Sequence, residues 1–244
     1  MSFKPVKQFT SWSFSRYGDY KQCPLKAKLK HLDKINEPPN AAMERGTLIH
    51  KLAEDYIKGV GRALPPELKL LSDELKALRK LYAKKTPLKM VVEDNWAFTR
   101  DWEETEWNNW TACWVRIKLD CAHFSAEGEL TVTDWKTGRF REEDLASYLE
   151  QLELYALSAM LIDDRVLSVR PRLAYTDEGR FFPAPDEPII YTREDIPRLK
   201  KLWGARTKAM FADTSFKPTP NSKCRWCWYG QSKKSAGGPG LCKY

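Results

Sequence analysis

Two aspartates and one lysine stand where they could bind a metal ion and act on a phosphate. Asp120 ends one predicted strand, and Asp134 and Lys136 end the next. Residues two apart on a strand share a face, so Asp134 and Lys136 point the same way, and Asp120 converges on them if the strands pair. Two carboxylates are the hard oxygen ligands that Mg²⁺ requires, and the carbonyl of Trp135 could supply a third oxygen. Such a metal activates water and neutralises a phosphate, and a lysine ammonium stabilises the charge that develops on it.

An isolated Asp-x-Lys is most often solvated surface charge, so the assignment depends on the motifs around it. Five short motifs follow one another along the chain: Cys23-Pro24, the helical RGTLIH at 45–50, IKLD at 117–120, TDWKTG at 133–138 and QLELY at 151–155. This order resembles the RecB-type branch of the PD-(D/E)XK nucleases, which includes the AddB nuclease domain, CRISPR-adaptation exonucleases and many phage exonucleases. These five motifs lie between residues 23 and 155, and with the segment from residue 11 and the C-terminal cysteines the resemblance extends over residues 11–242.

The resemblance implies hydrolysis of DNA phosphodiester bonds with Mg²⁺ or Mn²⁺. His50 would be a metal ligand with Asp120 and Asp134, although a lone histidine is more often packed in a core or exposed to solvent. Gln151 and Tyr155, four residues apart on one helix face, would close the site. Glu93, near the start of a strand, is a candidate auxiliary acidic residue.

Four of the six cysteines form a second candidate site. Cys224 and Cys227 form a Cys-x-x-Cys pair, Cys242 follows, and Cys23 lies far upstream. By resemblance to iron–sulfur members of the same family, these four thiolates would hold a [4Fe–4S] cluster that pins the N-terminal helix to the tail. The gap before Cys242 is longer than in that family. Zn²⁺ is the alternative metal, and an incidental Cys-x-x-Cys with no metal is the third interpretation.

The elements that must position these residues follow from hydrophobic periodicity and turn residues. Helices are expected from Ser11 or Ser13 to Gln22 and over 24–33, 41–58, 67–84, 145–161 and 193–212. Strands are expected over 90–99, 112–119, 129–135 and 166–175, with a short strand after the loop 183–188.

This order predicts an α/β fold: a restriction-endonuclease-like αβββαβ core with a mixed central sheet, N-terminal helical additions and a Cys-rich C-terminal tail. A single domain over 1–244 is expected, with a helical part over about 11–84 and a catalytic core over about 88–212. The tail 214–244 is expected to pack back on the N-terminal helix.

Composition favours a cytoplasmic protein, bacterial or in an infected host cell, that binds a polyanion. The formal net charge is +8 and the sequence pI is about 9.1, which favours nucleic acid. No apolar run is long enough to span a membrane, and the N-terminus has no signal-peptide pattern. Tryptophans in the stretch 100–110 could stack on bases, but that stretch is acidic.

The leading hypothesis is a DNA exonuclease of phage, recombination or repair DNA processing. Its partner would be linear, end-bearing DNA, with a recombination protein as a possible second partner. The alternative is a non-catalytic DNA-binding or adaptor module that keeps the fold and a structural Fe–S or Zn site.

Overall fold

The computed structural model describes residues 7–84 and 90–244, and these residues form two compact units. One unit comprises the described residues up to Pro38 together with Trp203–Tyr244, and the other comprises Pro39–Leu202. The expected core boundary near residue 88 lies outside the described residues, and the domain boundaries drawn from the sequence stay predictions. Within the described chain, no helix combines the length and apolar character needed to cross a membrane.

The α-helices of the described residues follow the periodicity of the sequence closely. They are α1 (Phe14–Gln22), α2 (Pro24–Ala27), α3 (Ala41–Lys58), α4 (Ser72–Ala83), α5 (Leu145–Ile162) and α6 (Ile196–Ala212). The side chain of Asn40 caps α3 by accepting a hydrogen bond from the Met43 N–H, and Gly59 ends it with a φ of 81°, which glycine adopts without a Cβ clash. The predicted helices 24–33 and 67–84 are each divided, the first by a π-helical turn at Lys28–Leu32 and the second by a 3₁₀ turn at Pro66–Leu71.

The central sheet is mixed, as predicted. Its strands are β1 (Met90–Phe98), β2 (Val115–Ala126), β3 (Glu129–Lys136), β4 (Ser168–Tyr175), β5 (Arg180–Phe182) and β6 (Tyr191–Thr192). Strands β1, β2 and β3 form an antiparallel meander, β4 runs parallel to β3 after the crossover through α5, and β5 and β6 both pair antiparallel with β4. This is the expected αβββαβ order.

Strand β2 differs most from its prediction. It starts at Val115 and continues to Ala126, so Asp120 lies in the middle of the strand and not at its end. The hairpin turn is formed by Glu127 and Gly128, and Gly128 has a φ of 71°. Residues 121–126 have weak β propensity, but they pair with β1 on one side and β3 on the other. Tertiary pairing therefore overrides local preference.

An apolar core fixes the sheet against α3 and α4 in the larger unit. The side chains of Ile49, Ala53, Leu68 and Leu75 are fully buried there, and Trp135 of β3 packs in the same cluster. Burial of large aliphatic side chains contributes about 1.5–3 kcal/mol each. The same helix α3 that contributes Ile49 and Ala53 therefore carries His50 on a fixed backbone.

His123 of β2 makes acid sensitivity a testable property of this unit. Burial, with a smaller effect of Arg172, lowers the pKa of His123 from 6.5 to about 4, and its Nδ1 has no hydrogen-bond partner among the described residues. Between pH 6.5 and about pH 4, His123 is therefore protonated in the unfolded chain but neutral in the folded chain. We expect the free energy of unfolding to fall by about 3 kcal/mol as pH decreases from 6.5 to 4 through this group alone.

Replacement of His123 with glutamine should flatten that part of the pH dependence, measured by urea unfolding at neutral and acid pH. An unchanged slope in His123→Gln would show that other groups control the acid sensitivity.

Candidate active site

A row of acidic residues crosses three neighbouring strands. The β1–β2 register places Glu93 opposite Asp120, and the β2–β3 register, extended by one residue, places Asp134 opposite Asp120 on the other side. Asp120 and Asp134 are both buried, with an exposure of 5% each. Like charges facing one another across strands repel, and buried charge is costly without a partner. The row therefore needs positive charge close to it.

His50 of α3 lies at one end of this row. Its Nδ1 is 3.1 Å from Asp120 Oδ1 and 3.9 Å from Glu93 Oε1. Burial alone lowers the pKa of His50, but the hydrogen bond and charge of Asp120, with smaller contributions from Asp134 and Glu93, raise it above its usual 6.5. The backbone N–H of Trp135 donates to the second oxygen of Asp120 at 2.8 Å. One ligand atom each from His50, Glu93 and Asp120 lie within 4.8 Å of one another, close enough to share one metal ion.

Asp134 belongs to a second network on the same strand row. Tyr155 donates its hydroxyl proton to Asp134 Oδ1 at 2.5 Å, and Gln151 Nε2 donates to the same oxygen at 3.1 Å. The Lys136 ammonium lies 2.8 Å from Asp134 Oδ2 and donates to Gln151 Oε1 at 2.9 Å. An ammonium can only donate, so it orients the Gln151 amide with its oxygen toward Lys136 and its nitrogen toward Asp134. The four side chains thus hold one another in a single arrangement.

The protonation states of this site follow from its burial. Burial and the charge of Asp134 raise the pKa of Asp120 above its usual 3.8, although His50 and the Trp135 N–H act in the opposite direction. Burial, together with the charges of Asp134 and Asp120, raises the pKa of Tyr155 well above 10.0. Tyr155 therefore stays a hydroxyl donor to Asp134 at neutral pH. The clustered carboxylates favour binding of a cation, which would relieve their repulsion.

The structure brings the predicted site residues together in two groups. His50 and Asp120 form one group, and Asp134, Lys136, Gln151 and Tyr155 form the other. Trp135 contacts Asp120 through its backbone N–H, whereas the sequence pointed to its carbonyl as a metal ligand. Its indole is buried in the apolar core. The metal-ligand and catalytic roles of all these residues stay predictions.

Glu93, which the sequence offers as an auxiliary acidic residue, lies beside His50 and Asp120 in the structure. Its φ of 54° is in the left-handed region, which is uncommon for a residue with a side chain and is often found at functional sites. Lys118 lies 3.0 Å from Glu93 Oε2, but the buried Oε1 has no hydrogen-bond partner in the described chain. The β1–β2 register is what places Glu93 beside Asp120, and this register cannot be read from the sequence alone.

The loop that follows Lys136 is fixed by acidic side chains after β4. Asp177 accepts a hydrogen bond from the Gly138 N–H at 2.8 Å and from both terminal nitrogens of Arg45. The Thr176 N–H donates to the Lys136 carbonyl at 2.9 Å. Gly138 adopts a φ of 91°, which favours glycine at this turn. The backbone that carries Lys136 is therefore held on both sides.

We expect the Glu93→Gln substitution to weaken Mn²⁺ binding by at least about tenfold, because it removes one of three converging ligand groups and its negative charge. Isothermal titration calorimetry on metal-free protein measures the affinity directly. Glu103→Gln is the matched control, because Glu103 is exposed outside the site. Equal Mn²⁺ affinity in Glu93→Gln and the control would exclude Glu93 from the metal site.

The four cysteines of the predicted cluster line one pocket in the smaller unit. Cys23, Cys224, Cys227 and Cys242 are all half-buried free thiols. The Thr219 N–H donates to Cys23 Sγ at 3.5 Å and the Asn221 N–H to Cys224 Sγ at 3.3 Å. Burial raises the pKa of Cys227 above its usual 9.0 against the opposing effect of the Tyr229 N–H, and Cys23 and Cys242 raise it further. Amide donors to sulfur are typical of thiolates that bind a metal centre.

The sulfurs of the pocket do not lie at the spacing of ligands around one zinc ion. Four thiolates around one zinc, each at about 2.3 Å, would have their sulfurs about 3.8 Å apart. Among the described residues, no three cysteine sulfurs lie within 4.8 Å of one another. The remaining cysteines, Cys113 and Cys121, are buried in the larger unit.

Comparison with solved structures bears on the fold of the chain. The chain aligns with a crystal structure of a candidate exonuclease from Eubacterium rectale over 91% of its own length and 88% of that chain, with 13% identity and a TM-score of 0.51. The crystal structure of SSO0001 aligns over 92% of this chain and 86% of that one, with 15% identity and a TM-score of 0.38, too low to carry an argument. No curated protein sequence matches the chain.

The sequence model of the PD-(D/E)XK nuclease superfamily matches residues 11–232. The matched range covers most of the chain and contains the acidic row, Lys136, Gln151 and Tyr155. The chain therefore belongs to the PD-(D/E)XK nuclease superfamily.

Proposed function

We propose that this protein is a divalent-metal-dependent nuclease that hydrolyses DNA phosphodiester bonds from strand ends. The observation that carries the proposal is the convergence of His50, Glu93 and Asp120 within one ligand sphere, beside a lysine held between Asp134 and Gln151. A structural role alone does not explain three buried or half-buried carboxylates in one row. Membership of the superfamily supports nuclease chemistry.

The residues present fit a hard divalent cation. Carboxylate oxygens suit Mg²⁺ and Mn²⁺, and the buried Glu93 Oε1 lacks a hydrogen-bond partner in the described chain. We propose His50, Glu93 and Asp120 as protein ligands, with Asp134 in reach of the same ion or of a second one. A bound cation would lower the pKa of a coordinated water and neutralise charge on the scissile phosphate.

The protein side chains would do the remaining work by position and charge. Lys136 presents a fixed ammonium that orients the attacking water and stabilises the negative charge growing on the phosphate. Gln151 and Tyr155 keep Asp134 and Lys136 in place through hydrogen bonds that leave little rotational freedom. The Trp135 N–H fixes the orientation of Asp120. Prepositioned groups of this kind lower the barrier because they do not reorganise during the reaction.

Attack from strand ends is proposed over internal cleavage. The structural neighbour from Eubacterium rectale is named as a candidate exonuclease, and the sequence motifs resemble exonucleases of the RecB-type branch. The setting we propose is the trimming of DNA ends during phage, recombination or repair processing.

We also propose a [4Fe–4S] cluster on Cys23, Cys224, Cys227 and Cys242. Support comes from the shared pocket, the amide donors to two sulfurs and the resemblance to iron–sulfur members of the family. The ligands come from both ends of the chain, so the centre would stabilise the smaller unit by closing a long loop.

The C-terminal segment packs closely against Gly230 beside the cysteine pocket, and this contact gives a testable prediction. A Cβ built there would lie 2.5 Å from the Tyr244 carbonyl oxygen and 3.3 Å from that of Cys227, and Gly230 forms a bridge with Cys242. We expect Gly230→Ala to displace the segment that carries Cys242, to destabilise the smaller unit by about 1–3 kcal/mol, and to lower its iron content.

Gly204→Ala is the matched control, because its Cβ would meet nothing within 4 Å. Iron and acid-labile sulfide per chain, with the melting temperature, provide the measurement. Iron content equal to the control would show that Gly230 does not govern the closure.

The experiment that tests the function compares end-labelled single- and double-stranded linear DNA with a closed circle, in Mg²⁺ or Mn²⁺ and in EDTA. Metal-dependent loss of linear DNA with the circle intact is the expected result, and the fate of the label gives the polarity. Cleavage of the circle would replace exonuclease with endonuclease. No cleavage by metal-loaded protein would favour the DNA-binding module.

A further inference from the structure

The C-terminal segment 214–244 combines strong positive charge with an exposed aromatic side chain. It contains six lysines and arginines and no aspartate or glutamate, so it carries +6 of the chain's formal +8. Trp226, between the two cysteines of the Cys-x-x-Cys pair, is 66% exposed. A tryptophan is among the costliest side chains to leave in water, yet most of the Trp226 side chain is open to solvent.

Two cations from different turns lie beside this ring. The Arg225 guanidinium carbon is 5.4 Å from the Trp226 ring centre and the Lys233 ammonium is 5.2 Å from it. Both turns are short 3₁₀ helices, Ser222–Trp226 and Gln231–Ala236, and the Asn221 side chain before the first turn donates to the Gln22 carbonyl of α1 at 3.1 Å. The cation–π contacts orient the ring, while two thirds of its surface stay open.

We propose that Trp226 is a stacking platform for a base of single-stranded DNA, with Arg225 and Lys233 contacting the flanking phosphates. Base–aromatic stacking beside a positively charged track is the usual way that proteins hold single strands without reading sequence. The absence of acidic residues in the segment fits a polyanion and disfavours a basic partner surface. This site rests on the proposed nuclease function, since it would bind the substrate strand at a position outside the acidic row.

Trp110 shows why exposure alone does not make such a site. It is 71% exposed and lies beside Arg116, as Trp226 lies beside its cations. The surrounding segment contains exposed Asp101, Glu103 and Glu106, whose charges would repel a phosphate backbone. The two tryptophans therefore form a matched pair that differs mainly in electrostatic surroundings.

The test is binding of a fluorescein-labelled oligothymidylate to the full chain, followed by anisotropy in buffer without added divalent metal. We expect Trp226→Ala to weaken binding by at least about fivefold and Trp226→Phe to retain most of the affinity, because phenylalanine keeps a stacking face. Trp110→Ala should bind like wild type. Iron content is measured in each variant to confirm that the cysteine pocket is intact.

A second variant tests the charges without touching the Cys-x-x-Cys turn. The double substitution Lys233→Gln and Lys234→Gln should reduce the slope of log affinity against log salt by about 0.7 for each phosphate that the variant no longer neutralises. Lys76→Gln on α4 is the control for removal of one exposed charge, and its slope should be close to that of wild type.

The outcomes separate this site from the proposed nuclease activity. Protein that cleaves DNA, but whose Trp226→Ala and double-lysine variants bind the probe like wild type, would overturn the stacking site and leave the nuclease standing. Equal losses in Trp226→Ala and Trp110→Ala would also overturn it. Wild-type protein that neither binds nor cleaves DNA would overturn both proposals.

Discussion

The Asp120→Asn substitution is expected to abolish DNA cleavage and to raise the stability of the metal-free protein at the same time. Asparagine removes one negative ligand from the group of His50, Glu93 and Asp120, so metal affinity falls sharply. A metal ion contributes several kcal/mol to stabilising a phosphate transition state, and each 1.36 kcal/mol is a factor of ten in rate. We therefore expect a loss of at least about 10³ in the cleavage rate.

The gain in stability follows from the sign of the pKa shift. The pKa of Asp120 is raised in the folded protein, so the unfolded chain accommodates the ionised form better than the folded one. Ionised Asp120 therefore destabilises the metal-free fold above its folded pKa, and this cost disappears as pH falls below the unfolded value. Asp120→Asn removes the cost at neutral pH. We expect the melting temperature in EDTA at neutral pH to rise, which distinguishes loss of the site from unfolding.

Lys136→Ala provides the contrast within the same site. Lys136 contacts Asp134 and Gln151, and it lies outside the ligand group of three. Its removal should lower the cleavage rate by about 10²–10³, the usual effect of losing one charged group that stabilises the transition state. The affinity for Mn²⁺ should be equal to that of the wild type or higher. Asp101→Asn, at an exposed residue, is the control for both variants. Cleavage by Asp120→Asn at the rate of this control would remove Asp120 from the active site.

The second large effect is expected at the cysteine pocket. Cys227→Ser should give colourless protein with little iron or acid-labile sulfide, because the centre loses one of four thiolates. Metal binding of this kind supplies folding free energy. Amide hydrogen exchange should therefore accelerate in α1 and in residues 203–244, whereas the strands β1 to β4 should exchange as in wild type.

Cys113→Ala is the control for this experiment, because Cys113 is buried in the larger unit and its thiol donates to the Val115 carbonyl. It should keep its iron. Zinc in place of iron in the wild-type protein, lost in Cys227→Ser, would assign the pocket to zinc. Unchanged metal content and unchanged exchange in Cys227→Ser would show that the pocket holds no centre.

The two sites differ in what they predict for chelation. EDTA should remove the ion from the acidic row and stop cleavage, but it should not unfold the larger unit, because the core around Trp135 consists of apolar side chains that bind no metal. A cluster on the four thiolates should stay bound in EDTA as long as its cysteine ligands hold it. If cleavage returns when Mn²⁺ is added after EDTA treatment, the ion of the acidic row was removed and replaced independently of the cysteine centre.

Much of this fold was predictable from local patterns along the chain. Helix α3 has its predicted bounds because its apolar residues recur at helical spacing between an Asn cap and a glycine stop. Asp134 and Lys136 share a face because side chains two apart on a strand must do so, and their charged groups are 2.8 Å apart. Gln151 and Tyr155 hydrogen-bond one another because they are one helical turn apart.

Tertiary structure decided what links distant segments. The length of β2, and with it the central position of Asp120, depends on pairing with two strands at once. Glu93 joins the site only because the β1–β2 register puts it opposite Asp120 with a left-handed backbone. Residue type reports periodicity within one element, whereas register and long-range pairing depend on how elements pack against one another. The sequence by itself therefore determined which residues could do the chemistry, and the sheet register decided which of them share one site.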